Sequence, residues 1–189
     1  MTAAIPVRPG RLREAAEAIE RTTGLRVQII GGTLVMSPPR RGKHAGTVRL
    51  LRDQLARELP AGLGAYEVSS IAMPDDDEDY ATPDLVVFPT AWDQDDEWLA
   101  DARDAVLAVE VISKSERARD ITNKTEWYAT AGAPLLLAVD PRNGTWTLYS
   151  HPRDGAYQGV LHGIYGDRVP LPAPLPGELH TTDLPRYGS

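Results

Sequence analysis

The chain has 189 residues, 42% hydrophobic and 25% charged, with 16 glycines, 16 prolines and no cysteine. That mixture suffices for one globular core with loops, and it excludes a disulfide framework, a thiolate metal site and a cysteine nucleophile. A formal net charge of −7 excludes indiscriminate coating of nucleic acid, which draws on clustered Lys and Arg.

No apolar stretch approaches the roughly 20 residues of a membrane span, and residues 1–10 lack the apolar centre of a signal peptide. A cytoplasmic protein with no membrane partner is expected. The acidic run 75–79 reads as a solvated loop. Basic residues gather at Arg40, Arg41, Lys43 and His44, at Arg49 and Arg52, and at Lys114, Arg117, Arg119 and Lys124, a local positive surface on an acidic chain.

In chain order, Leu12, Ala15, Ala16 and Ile19 stand at helical spacing and predict an amphipathic helix over 11–22, stopped by Gly24. Strands at 26–30 and 33–37 flank Gly31-Gly32, a connection suited to a tight hairpin, and Pro38-Pro39 ends the pair. From Gly42 onward Val48, Leu51, Leu55 and Leu59 recur at three- and four-residue steps, a helix with His44 at its start and Pro60 beyond its end. A strand over 66–73 leads into the acidic loop, a short strand at 84–88 enters through Pro83, and 89–104 reads as irregular.

The run 105–112, Ala-Val-Leu-Ala-Val-Glu-Val-Ile, is a strand broken by one charge, Glu110. An unpaired buried carboxylate is costly enough that a cation or a proton must neutralise it. A helix over 116–131 follows, with Ser113 and Glu116 as its capping signal and Gly132 as its stop. Residues 135–139 form a wholly apolar strand, and 146–150 and 155–162 add a β-meander turned at Asn143-Gly144 and Asp154-Gly155. From Pro170 the Pro-rich end reads as an extended surface segment. Strand, helix, strand with apolar strands on both sides predicts an α/β (α+β) fold, a mixed sheet flanked by helices. The division expected is a single domain over 1–189, with an N-terminal helix within 1–23 and the extended segment over 170–189.

Asp84, Glu110 and Lys124 occupy places where a plain core wants something else. Two carboxylates on neighbouring strands suit Mg²⁺, which takes oxygen ligands. A nearby lysine positions or activates an attacking water and offsets charge on a phosphorane-like transition state, the needs of phosphodiester hydrolysis. Strand alternation puts Ala108, Glu110 and Ile112 on one face. On the helix, Asp120, Lys124 and Tyr128 form a polar stripe four residues apart, while Ile121 and Trp127 pack inward. Plainer roles stand beside these: Asp84 as a strand-start hydrogen bonder, Glu110 in an ion pair with Lys124 or an Arg, and Lys124 as a solvated helix residue. His44 suits either a core edge or the rim of a site, Tyr128 a packing position with its hydroxyl satisfied, and Asp140 a turn. No G-x-S-x-G or H-E-x-x-H occurs, and histidines 44, 151, 162 and 180 lack metal-ligand spacing, which speaks against serine and zinc hydrolases.

The ordered series Gly31-Gly-Thr-Leu-Val-Met-Ser-Pro-Pro39, His44, Pro83-Asp84, Val109-Glu-Val-Ile-Ser113, Asp120-x-x-x-Lys124-x-x-x-Tyr128, Ala131-Gly132 and Val139-Asp-Pro141 resembles the Uma family of putative restriction endonucleases. This family is a branch of the PD-(D/E)XK nuclease superfamily, and the resemblance spans residues 24–185, a nuclease-like core. It implies a restriction-endonuclease-like mixed sheet flanked by helices and Mg²⁺-dependent cleavage of DNA, with Mn²⁺ as a substitute ion. It also implies metal ligation by Asp84, Glu110 and the backbone carbonyl of Val111, with His44, Asp120 and Tyr128 at the rim. The superfamily lysine stands two residues after the acid, where this chain has Ile112, and Lys124 matches the migrated lysine of the branch. Many members carry an acidic residue and an aspartate where this chain has Gln28 and Gly31. That departure bears on a second metal and keeps open an alternative, a catalytically degenerate nuclease fold serving as an interaction or nucleic-acid-binding module. A homodimer would let so compact a nuclease act on both DNA strands.

Overall fold

The computed structural model of the protein describes residues 11–37 and 39–188, so the expectations for residues 1–10 and for Pro38 fall outside the described residues. Helix α1 (Leu12–Thr23) buries Ala16 and ends at Gly24, whose φ of 68° lets its N–H reach Glu20 O. Strands β1 (Arg26–Ile30) and β2 (Thr33–Ser37) pair through Gly31 and Gly32 at φ 56° and 70°, the left-handed geometry that a two-residue hairpin demands. Helix α2 (Gly42–Glu58) buries Val48, Leu51 and Leu55, as their spacing predicts.

Two expectations for the next stretch need correction. The strand expected over 66–73 is two strands, β3 (Leu63–Glu67) and β4 (Ser70–Met73), separated by Val68 at φ 60° and assigned to different sheets. The acidic run is no loop: Asp75 turns at φ 63° and the rest enters β5 (Asp76–Ala81). Aspartate disfavours strands, but here Tyr80 and Ala81 are buried and Arg13 holds Asp77 and Glu78 by hydrogen bonds. Strand β6 (Leu85–Pro89) follows, then a 3₁₀ turn (Thr90–Gln94), the short β7 (Leu99–Asp101) and a second 3₁₀ turn (Ala102–Asp104).

Strand β8 (Leu107–Val111) contains Glu110 and runs parallel to β9 (Leu135–Asp140), with α3 (Ala118–Thr130) between them in sequence. The helix starts later than its capping signal suggested, at Ala118, although the capping-box bond from Ser113 N to Glu116 Oε2 (3.1 Å) is made in the preceding turn. The meander is present and longer than expected, as β9, β10 (Thr145–Arg153) and β11 (Ala156–Ile164) in antiparallel sequence. The Pro-rich end is more than an extended segment: β12 (Arg168–Pro170) pairs with β13 (Glu178–His180), and Leu171, Leu175, Leu179 and Leu184 are buried.

Two main sheets result, one of five strands ordered β2-β1-β5-β4-β7 and one of six ordered β11-β10-β9-β8-β6-β3. One face of the larger sheet, with Leu85, Val87, Leu107, Val109 and Val111, packs on α2 and the C-terminal leucines. The opposite face, with Val86, Phe88, Ala108 and Leu136, packs on Ile30, Ile71 and Ala81 of the smaller sheet and on Trp127 and Tyr128 of α3. The expected helix-flanked mixed sheet is therefore present, with a second sheet sharing one flank. Among the described residues no helix is long and apolar enough to cross a membrane.

Candidate functional site

Strands β6 and β8 pair antiparallel with Leu85 opposite Val109 and Val86 opposite Ala108, and Asp84, just before β6, lies beside the Val109–Val111 end of β8. Asp84 N donates to Val109 O (3.0 Å), and Asp84 Oδ2 accepts from Val111 N (2.8 Å). The carboxylate thus satisfies a β8 amide just before β6 begins, the local role that aspartate at a strand start can take. Its other oxygen, Oδ1, lies 2.6 Å from Arg40 Nη2 and 3.1 Å from His44 Nε2. Burial alone would raise the Asp84 pKa, but the hydrogen bonds and charges of His44, Arg40 and the Val111 amide outweigh it and hold the carboxyl below its usual range.

Glu110 faces α3. Its Oε2 lies 3.0 Å from Lys124 Nζ and its Oε1 accepts from the Tyr128 hydroxyl at 2.7 Å. Lys124 and Tyr128 stand one helical turn apart, so both side chains descend on the same carboxylate. Burial raises the Glu110 pKa, and the neighbouring carboxylates of Asp84 and Glu116 add to the rise against the pull of Lys124. Lys124 also lies 3.4 Å from Glu116 Oε1. Burial would lower its pKa, yet Glu110, Glu116 and Asp84 together raise it, so the ammonium stays protonated. The Tyr128 hydroxyl is pushed up, first by burial and then by Glu110, and it serves as a hydrogen-bond donor.

His44 is buried at the start of α2, with its Nε2 3.1 Å from Asp84 Oδ1. Its Nδ1 lies 3.3 Å from the Tyr187 hydroxyl. Asp120 is half-buried a turn before Lys124, and the hydrogen bonds that link Glu110, Lys124 and Tyr128 do not include it. Asp140 is the expected turn residue, its carboxylate accepting from Arg142 N, the Arg142 guanidinium and Asn143 Nδ2. Gln28 is buried and its Oε1 accepts from Thr82 N (3.1 Å), so this departure from the family pattern has a structural partner.

Several residues escaped the sequence reading as parts of this cluster. Arg40 was legible only as one of a basic group, although it stands four residues before His44. Glu116 read as a cap, and Tyr187 lies in the tail, far away in sequence. Arg26 is a further cation: burial and the neighbouring Arg40 lower its pKa, while Asp84 and Glu110 oppose them.

Among the described residues no three Asp, Glu, His or Cys side chains converge so as to hold a metal ion by themselves. The Asp84 and Glu110 carboxylates nevertheless fit a hard divalent cation in ligand type. The raised proton affinity of Glu110 comes first from burial, and Lys124 is the strongest charge acting on it.

A solved structure of a putative nuclease belonging to DUF820 from Anabaena variabilis ATCC 29413 is similar to this chain, with a TM-score of 0.65 at 17% identity. The match covers 79% of this chain and 83% of that one, and it relates the two mixed α/β folds. No curated protein matches the chain. The family model Uma2, described as "Putative restriction endonuclease", matches residues 13–184. With nearly all of its length matched, this chain belongs to the Uma2 family of putative restriction endonucleases.

Proposed function

We propose that the protein is a divalent-metal-dependent endonuclease that hydrolyses DNA phosphodiester bonds, a member of the PD-(D/E)XK superfamily. The observation that carries this reading is the convergence of Asp84 and Glu110 at the paired ends of β6 and β8 with Lys124 3.0 Å from Glu110. Asp84, Glu110 and the backbone carbonyl of Val111 would hold Mg²⁺, with Mn²⁺ as its substitute. When bound, such an ion polarises a phosphoryl oxygen and lowers the pKa of water.

The protein's own groups have separate tasks. Protonated Lys124 cannot take a proton from water, so its contribution is a fixed positive charge that orients the attacking water and offsets the charge growing on the phosphoryl oxygens. Tyr128 and Lys124 fix the Glu110 carboxylate, and Arg40, His44 and the Val111 amide fix Asp84. Arg26 and Arg40 supply positive charge beside the carboxylates, suited to a polyanionic substrate.

A supercoiled-plasmid assay with Mg²⁺ or Mn²⁺ tests the reading. Nicking by the wild type that is lost in Glu110→Ala is the expected result. No nicking by the wild type under either ion, or equal nicking by both proteins, sinks it.

One observation favours a second reading, a catalytically silent nuclease fold that serves as an interaction module. Every carboxylate oxygen of the pair already has a protein partner: the Arg40 guanidinium on Oδ1, Val111 N on Oδ2, Tyr128 on Oε1 and Lys124 on Oε2. Calorimetric titration with Mn²⁺ separates the two. Heat abolished by Asp84→Ala belongs to the nuclease reading, and a silent wild-type titration belongs to the module.

A further inference from the structure

We propose that β11 is the surface through which two copies of this chain pair, edge to edge and antiparallel, joining two six-stranded sheets into one continuous sheet. Strand β11 stands last in the order of the larger sheet, so its outer backbone groups have no strand partner among the described residues. Exposed edges template further strands, and proteins blunt them with charge, with proline or by keeping them short. On β11 itself none of those devices occurs, and among the described residues only its two ends have backbone groups taken, Ile164 by Asp167 and Ala156 O by Gln158 Nε2. The nine residues of β11, Ala-Tyr-Gln-Gly-Val-Leu-His-Gly-Ile, contain no Lys, Arg, Asp, Glu or Pro. The other edges of the two main sheets are shorter, with five residues in β2, five in β3 and three in β7.

The side chains agree with the backbone. Among the described residues six large hydrophobic side chains are exposed, and three of them, Val160, Leu161 and Ile164 at 49%, 45% and 59%, lie on β11. Val160 pairs with Tyr149 and Leu161 with Leu148, so apolar groups project from both faces of the edge. A strand laid alongside would cover both.

The charges at the ends of β11 select a second copy as that strand. Arg153 and Asp154 precede it, 3.5 Å from one another, and Asp167 and Arg168 follow it, Arg168 beside Glu178 and Asp167 accepting from Ile164 N. When the strand meets itself antiparallel about a two-fold axis, the start of one copy lies beside the end of the other. Each end then offers one acid and one base to its counterpart, and the uncharged middle brings no like charges together. Such a contact is isologous and closes at the dimer, leaving no edge at β11 to propagate.

Sedimentation of the full chain over a wide concentration range, with hydrogen exchange across residues 156–164, tests the proposal. The wild type should sediment as a dimer whose β11 amides exchange more slowly as concentration rises. Val160→Lys sets two ammonium groups at the centre of the contact and should sediment as a monomer with unchanged circular dichroism. Val160→Thr, uncharged and still β-branched, should keep the dimer. The proposal is overturned by a wild type that is monomeric throughout, by a dimer whose β11 amides stay unprotected, or by a Val160→Lys dimer as tight as the wild type. A monomer that takes up extended peptides of other proteins along β11 overturns it equally. If Val160→Lys fails to fold, the wild-type exchange measurement decides alone.

Discussion

Lys124 Nζ sits between two carboxylates, 3.0 Å from Glu110 Oε2 and 3.4 Å from Glu116 Oε1, with its side chain only 15% exposed. Removing one member of so buried a pair strands the other without compensation, which costs about 3–5 kcal/mol. Lys124→Met is therefore expected to destabilise the fold by an amount near that range. The double variant Glu110→Gln/Lys124→Met should recover part of the loss, because Glu110 is then neutral and only Glu116 is left without the ammonium. A double-mutant cycle by urea denaturation measures the coupling, and additive effects of the two substitutions would show that the pair does not act as a unit.

The pKa values of Asp84 and Glu110 shift in opposite directions although the charge of Asp84 acts on Glu110. The native Asp84 pKa lies below its ordinary 3.8, so its ionised form stabilises the fold above that value, and the contribution disappears as pH falls through the lowered native value. The stability gap between wild type and Asp84→Asn should accordingly be full above the ordinary carboxylate range and close on the acid side. The native Glu110 pKa lies above its ordinary 4.5, so the fold favours the protonated form, and stability declines as pH rises from 4.5 through the native value. Glu110→Gln should flatten that decline. Denaturation midpoints across a pH series check both signs, and an Asp84→Asn gap that widens in acid would refute the first.

Asp79, in the acidic stretch that the sequence presented as a loop, accepts from Trp127 Nε1 (2.8 Å) and from Gly31 N (3.1 Å) through one oxygen. It thereby ties the β1–β2 hairpin to α3, the helix that carries Lys124. Asp79→Ala leaves the buried Trp127 indole N–H without its acceptor, at a cost of about 1–3 kcal/mol. Asp79→Asn keeps an acceptor oxygen and should cost less. Thermal unfolding followed by tryptophan fluorescence distinguishes them, and equal losses would assign the effect to charge instead of the hydrogen bond.

Elements with strong local periodicity were legible in advance. Helix α2 follows from Val48, Leu51 and Leu55, the β1–β2 hairpin from Gly31-Gly32, and β9 from its unbroken apolar run. The errors fall where a distant partner overrides a local preference. Residues 75–79 read as a solvated loop because a run of like charges favours solvent, yet β5 pairs with β4 through Asp76, Tyr80 and Ala81, and Arg13 of α1 binds Asp77 and Glu78. The strand expected over 66–73 divides because its two halves belong to different sheets, and no local pattern encodes sheet membership.

The sequence alone determined that Glu110 needed a neutralising partner, since a carboxylate in an apolar strand leaves few alternatives, and the i, i+4 spacing of Lys124 and Tyr128 determined that both would point the same way. Only the tertiary structure decided what surrounds Asp84. His44 comes from α2 and Arg40 from just before it, Val111 from β8, and Tyr187 reaches His44 from the tail, contacts between residues that are far apart in the chain. The difference is physical: periodicity fixes which residues share a face of one element, whereas partners across elements follow from how whole layers pack.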